Sequence, residues 1–201
     1  MSKLPDSMQK LISQFRKFPG VGGRTAERFA FRLLEWNEDS LQAFSRTIGS
    51  IAKEIGYCPS CRCLKGEEAC EFCDESKRDT NSLCIVSHAK DIYPIEETRV
   101  FRGLYHVLGG VFSPLDGQNA SKIETEIKNI LSRVRTHAVT DIILALDSTL
   151  EGDATALFIK EETKDWKVNI SRLAFGIPLG SALDYVDSGT LTRALIGRNQ
   201  F

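Results

Sequence analysis

The sequence has no stretch of about 18 consecutive apolar residues, so no membrane-spanning helix is expected. Its first fifteen residues mix Lys, Asp, Gln and Ser among the apolar positions instead of setting a basic stretch before an apolar one, and a cytoplasmic location is the expectation. Neither G-x-S-x-G nor G-x-x-x-x-G-K-[ST] occurs, which leaves no support for a serine-hydrolase elbow or a phosphate-loop nucleotide site. Histidine is scarce: His88, His106 and His137 are scattered, without an evident nucleophile beside them, and are expected to be structural or surface residues. Charge of one sign is not in excess either, since the 201 residues carry a net −1. With 42% hydrophobic and 26% charged residues the chain has enough apolar material for a packed core. The only basic bias is local: residues 1–56 carry +3, whereas 57–79 and 80–201 each carry −2. A phosphate-facing surface is therefore to be sought near the N-terminus.

What is present divides into modules. Leu4, Met8, Leu11, Ile12 and Phe15 recur at helical spacing. A turn at Phe18–Gly23 follows, then a second helix over Arg24–Trp36, a polar connection at Asn37–Ser40, and a third helix from Leu41 to near Gly56. Residues 57–79 are charged and cysteine-rich, with little apolar periodicity. Beyond them, strand patterns at 83–86, 104–108, 141–146 and 168–173 alternate with amphipathic stretches at 121–135 and 152–163. The expected class is multi-module α+β: a helical head at 1–56, a cysteine knuckle at 57–79, an α/β domain with a mainly parallel sheet at 80–174, and a C-terminal assembly segment at 175–201.

Cys58-Pro-Ser-Cys61 and Cys70-Glu-Phe-Cys73 are two C-x-x-C pairs eight residues apart. Each pair makes a tight turn that aims two sulfurs at one point, and two such turns complete a tetrahedral S₄ shell, the geometry of structural zinc. One zinc ion per chain is expected, closing a segment too small to bury a core of its own. The competing readings are redox thiols or unligated cysteines. Cys63 is out of register with the pairs, and Cys84 lies in an apolar run as a core thiol.

Phe18-Pro19-Gly20-Val21-Gly22 joins two helices, with Arg24 and Arg28 one turn apart beyond it. Gly20 and Gly22 can take positive φ and let a phosphate approach the backbone amides at the helix start. The segment is similar to a helix-hairpin-helix motif, which grips DNA backbone without reading sequence. A plain tight turn between packed helices, or a subunit contact, would use the same residues.

After the strand ending at Leu146 comes Asp147-Ser-Thr-Leu-Glu151-Gly-Asp153. Carboxylates at this edge of an α/β sheet could hold Mg²⁺ weakly, or simply cap a helix. The run resembles the acidic motif of Toprim domains, with two departures: Thr149 stands where a second Asp is expected, and Ser87 where an earlier strand carries Glu. Mg²⁺-dependent phosphoryl chemistry relies on that charge, so a domain without catalysis is expected.

The ordered set of hairpin, four cysteines and Toprim-like body resembles the RecR family of bacterial recombination mediators. Arg102–Leu108, Ser113–Gly117, Thr149–Ala156, Gly176–Gly180 and Thr190–Arg198 extend the resemblance over essentially the whole chain. It implies a non-enzymatic, nucleoid-associated DNA scaffold or clamp that acts with RecO, and in some systems RecF, to load RecA at single-stranded gaps. It further implies dimers or ring-shaped tetramers, DNA contacts at Arg24 and Arg28, and a partner-facing acidic surface that includes Glu151. A Mg²⁺-dependent Toprim nuclease or topoisomerase-like enzyme is the alternative.

Overall fold

The computed structural model describes residues 4–112, 117–174 and 176–198. The chain forms two compact units, one ending at Glu54 and the other beginning at Ile55. The expected Ser113–Gly117 segment therefore falls almost wholly outside the described residues.

The first unit contains α1 (Asp6–Phe15), α2 (Gly23–Leu34) and α3 (Glu38–Glu54). Met8, Ala26 and Ala30 are buried, and the Phe15 and Phe29 rings meet edge to face at 5.7 Å. The small alanines of α2 let helix backbones come close, and Phe29 supplies the contact area. α3 starts earlier than its apolar spacing indicates, because the Asn37 side chain accepts the amide of Ser40 at 2.8 Å and caps the helix. No residue of α3 is buried, and Phe44, Ile48 and Ile51 stay exposed along one side.

The second unit opens with a minimal antiparallel hairpin, β1 (Gly56–Tyr57) with β2 (Leu64–Lys65), whose loop carries the first cysteine pair. A four-stranded sheet follows, built from β3 (Asp79–Val86), β4 (Gly103–Val107), β5 (Asp141–Ala145) and β6 (Asn169–Arg172). All its pairings are parallel, in the order β4-β3-β5-β6. Crossovers of that kind need intervening helices. They are α4 (Ile92–Glu97), α5 (Gly117–His137) and α6 (Leu150–Glu162), and α7 (Ser188–Ile196) lies after the last strand.

Strand alternation sorts the core into two layers. Leu83, Ile85, Leu104, Ile142 and Leu144 pack with Ile123, Ile127, Ile130 and Val134 of α5 and Ile159 of α6. The opposite side chains, Cys84, Val86, Tyr105, Val107 and Ala145, pack with Ile92 of α4 and with Cys58, Cys61, Cys63 and Phe72. The cysteine segment thus serves as part of the cover of one sheet face. It also protects the β4 edge, where the Val107 amide donates to the Cys61 carbonyl at 2.9 Å.

Candidate functional site

The first cysteine pair sits in the β1–β2 loop. The Cys58 amide donates to the Cys63 carbonyl and the Arg62 amide to the Cys58 carbonyl, both at 2.8 Å. Arg62 takes a left-handed φ of 61° to complete the turn. The second pair is a separate turn, in which the Cys73 amide donates to the Cys70 carbonyl at 3.0 Å. The two turns bring Cys58 Sγ within 3.9 Å of Cys73 Sγ and Cys61 Sγ within 3.5 Å of Cys70 Sγ. All four sulfurs lie within 4.8 Å of one another. A tetrahedron with Zn–S bonds of about 2.3 Å has edges of about 3.8 Å, so the spacing fits a metal tetrathiolate. Cys63 is fully buried and stays outside the quartet, and Cys84 is a core thiol pushed up to about 12 by burial.

The four thiols ionise unequally. Burial opposes the thiolate of Cys58, but the amides of Cys61 and Ser60 outweigh it and hold this thiol below the ordinary range. Burial pushes Cys70 up to about 11. The hydrogen bond to Cys63 raises Cys61, and the one to Cys61 raises Cys73. Without an ion the cluster keeps protons that a bound dication would displace.

Behind the cysteines lies a polar chain that sequence spacing did not single out. His106 of β4 is fully buried, and Glu126 and Arg133 of α5 are only 4% and 7% exposed. His106 Nε2 is 3.2 Å from Glu126 Oε2, and Arg133 Nη1 donates to His106 Nδ1 at 3.3 Å and to the Tyr105 carbonyl at 2.6 Å. An arginine donor at Nδ1 requires that nitrogen to accept, which puts the imidazole proton on Nε2, toward Glu126. Burial holds His106 below its usual value, so it is neutral. Glu126 also receives Arg62 from between Cys61 and Cys63. The available signal was spacing: Glu126 and Arg133 are seven apart, inside the stripe of Ile123, Ile127, Ile130 and Val134.

At the hairpin, Phe18–Val21 closes a turn in which the Val21 amide donates to the Phe18 carbonyl at 3.1 Å and Gly20 takes φ 77°. Proline followed by a positive-φ glycine is the type II pattern. Gly22 does not use that freedom. It is the N-cap of α2 with φ −78° and ψ 173°, an extended conformation open to any residue. A side chain at Gly20, Gly22 or Gly23 would meet nothing within 4 Å. Arg24 and Arg28 are exposed on the first turns of α2.

The acidic loop is built differently from a metal site. Thr149 is the N-cap of α6 and accepts the Gly152 amide at 3.0 Å, so the expected place of a second Asp has a structural duty. Asp153 is 2.7 Å from Arg172 of β6 and 2.9 Å from Arg193 of α7, and Arg193 also donates to Ser148 Oγ at 2.8 Å. Partial burial opposes its charge, but the two guanidinia outweigh that and hold its carboxyl below the usual range. Asp147 and Glu151 are exposed. Among the described residues, the four cysteines form the only converging group of three or more metal-ligand side chains. Asp147, Glu151 and Asp153 do not converge as such a group, and Asp153 ties α7 to the sheet through Arg193 and Arg172. Ser87, directly after β3, is buried, and its Oγ has no protein partner among the described residues.

The parallel sheet with its acidic loop is the architecture of a Toprim domain, here joined to a four-cysteine centre in a chain that also carries a helical hairpin. A Toprim domain model matches residues 81–174, a RecR helix-hairpin-helix model 8–52, and a RecR C-terminal model 176–199. The chain is 48% identical over 199 residues to "Recombination protein RecR" of Protochlamydia amoebophila, covering 99% of this chain and all of the relative. Proteins of the same name from Chlamydia felis and Chlamydia pneumoniae are each 48% identical, with full coverage on both sides. The chain belongs to the RecR family. No helix among the described residues is long and apolar enough to cross a membrane.

Proposed function

We propose that this protein is a non-enzymatic, cytoplasmic DNA scaffold or clamp in recombinational repair, acting with RecO, and RecF where present, to promote RecA loading at single-stranded gaps. The observation that carries the reading is the hairpin turn. Gly22 has no conformational need for glycine, and nothing in its own unit fills the space a side chain would take. Open backbone at the positive end of α2, with the exposed Arg24 and Arg28 on its first two turns, suits a phosphodiester group brought from outside. Such contacts are sequence-independent and salt-sensitive.

The cysteine quartet holds one structural zinc ion per chain. Four sulfur ligands close its coordination shell, so the ion braces the segment and offers no open position for a reaction. The exposed Phe44, Ile48 and Ile51 stripe of α3 supports a homo-dimer or tetramer, in which a second copy would cover it. Asp147 and Glu151 remain available to a basic protein partner, for which RecO is the reading.

The test is salt-dependent binding of the full chain to duplex and gapped DNA, with Arg24→Ala/Arg28→Ala as the variant. Two lost phosphate contacts per chain lower the log–log salt slope by about 2 for duplex DNA. An unchanged slope sinks the hairpin assignment. Metal-dependent nicking of labelled DNA that disappears in Asp147→Ala would instead establish the Toprim enzyme.

A further inference from the structure

We infer that Arg133 is the counter-charge of the four-cysteine centre, a positioning residue whose buried guanidinium is set against the metal-bound thiolate of Cys73. The inference rests on the reading of the quartet as a metal site.

Burying a cation without an anion is costly, and a guanidinium keeps its charge in proteins. Arg133 is nonetheless 7% exposed, and among the described residues no carboxylate pairs with it. Its Nη1 is spent on two neutral acceptors, the Tyr105 carbonyl and His106 Nδ1. Its Nη2 points at Cys73 Sγ at 3.9 Å. The nearby carboxylate, Glu126, is already engaged by Arg62, His106 Nε2 and Asn129. A protonated thiol gives a buried guanidinium little in return. Four thiolates around a dication carry a net charge of −2, and that supplies the missing anion. Arg62, although it lies between Cys61 and Cys63, is neutralised by Glu126, so Arg133 is the cation aimed at sulfur.

The geometry has a topological cause. β4 is an edge strand, with α5 packed on one face of the sheet and the cysteine turns on the other. Around that edge an α5 side chain reaches a metal ligand without crossing the sheet. His106 links the two charged arms, because the tautomer that accepts from Arg133 must offer its remaining N–H to Glu126. Loss of Arg133 would leave the tetrathiolate with more charge and one donor fewer, and its metal easier to extract.

The experiment follows metal transfer from the full-length protein to an excess of a chromogenic zinc chelator, for wild type, Arg133→Met and Arg133→Lys. The expected result is release faster by roughly 10–100-fold in Arg133→Met, the range for loss of a partner behind a ligand. Arg133→Lys, which keeps the charge, should recover most of the difference. If Arg133→Met does not fold, Arg133→Gln replaces it, keeping hydrogen-bond donors but no charge. In the cobalt-substituted protein the sulfur-to-metal charge-transfer band should move to lower energy, because the thiolate holds its electrons less tightly. A merely structural arginine would move neither band nor release rate, and that pair of results overturns the inference, as does a lysine variant as leaky as the neutral one. A wild-type protein that binds no metal would overturn the metal reading itself, a separate outcome from metal bound with an unaltered rate.

Discussion

Replacing Arg78 by Met removes the tie between the end of the cysteine segment and the sheet while keeping most of the aliphatic volume. The Arg78 guanidinium is bidentate to Glu96 of α4, at 3.0 and 2.7 Å, and donates to the Glu71 carbonyl at 2.8 Å and the Gly103 carbonyl at 3.1 Å. It also lies over the Phe72 and Tyr105 rings, 5.2 and 5.3 Å from their centroids. Breaking a buried pair from one side costs about 3–5 kcal/mol. Here the side chains are 12% and 31% exposed, so water recovers part of that loss at Glu96, and Tyr105 still donates to it at 2.7 Å. A destabilisation of about 2–3 kcal/mol follows, or about 5–10 °C in melting temperature for a chain of this size. The assay is urea unfolding of the metal-loaded protein in a Trp36→Phe background, where Trp166 reports the second unit alone. Arg78→Met, Glu96→Gln and the double variant should show a coupling energy of about 1–2 kcal/mol. A loss below about 1 kcal/mol with no coupling would refute the reasoning, because it would reduce this pair to an ordinary surface ion pair.

Two further outcomes are expected. Gly152→Ala should destabilise the second unit by about 1–3 kcal/mol, although alanine normally favours a helix by about 1 kcal/mol over glycine, because steric overlap outweighs propensity. The overlap is concrete: an added Cβ would lie 2.1 Å from the Asp147 carbonyl oxygen, and a neutral or stabilising result in urea unfolding would contradict it. His106 should make stability pH-dependent. Its folded value is depressed by burial below 6.5, so the unfolded chain takes up the proton first. Its contribution is full above pH 6.5 and declines as pH falls below it, by up to about 1.4 kcal/mol per pH unit. His106→Gln, compared with wild type over pH 7.5 to 5.5, should lose that slope; identical slopes would remove the assignment.

Much of the fold was legible because it rests on short-range periodicity. The expected strands at 83–86, 104–108, 141–146 and 168–173 correspond to β3, β4, β5 and β6, each within a few residues at its ends. What spacing passed over was short or locally capped: α4 with only six residues, α7 behind its Asp187 cap, and the first turn of α3 held by Asn37. At the hairpin, sequence located the turn but left the conformation of Gly22 open. Glycine is permitted everywhere, so its presence alone does not say which conformation the backbone adopts.

The cysteine quartet and the helical head could be read from residue order, because paired C-x-x-C turns and 3.6-residue stripes are local patterns that a few consecutive residues complete. Only packing places Asp153 between Arg172 and Arg193, and Arg133 beside Cys73 in the interior. Those partners lie 19, 40 and 60 positions apart along the chain, on elements that meet only once the parallel sheet has ordered itself β4-β3-β5-β6. A charged residue reads the same in sequence whether it faces water or a buried ion. Burial, which raises the strength of every charge interaction it permits, is a property of the packed layers.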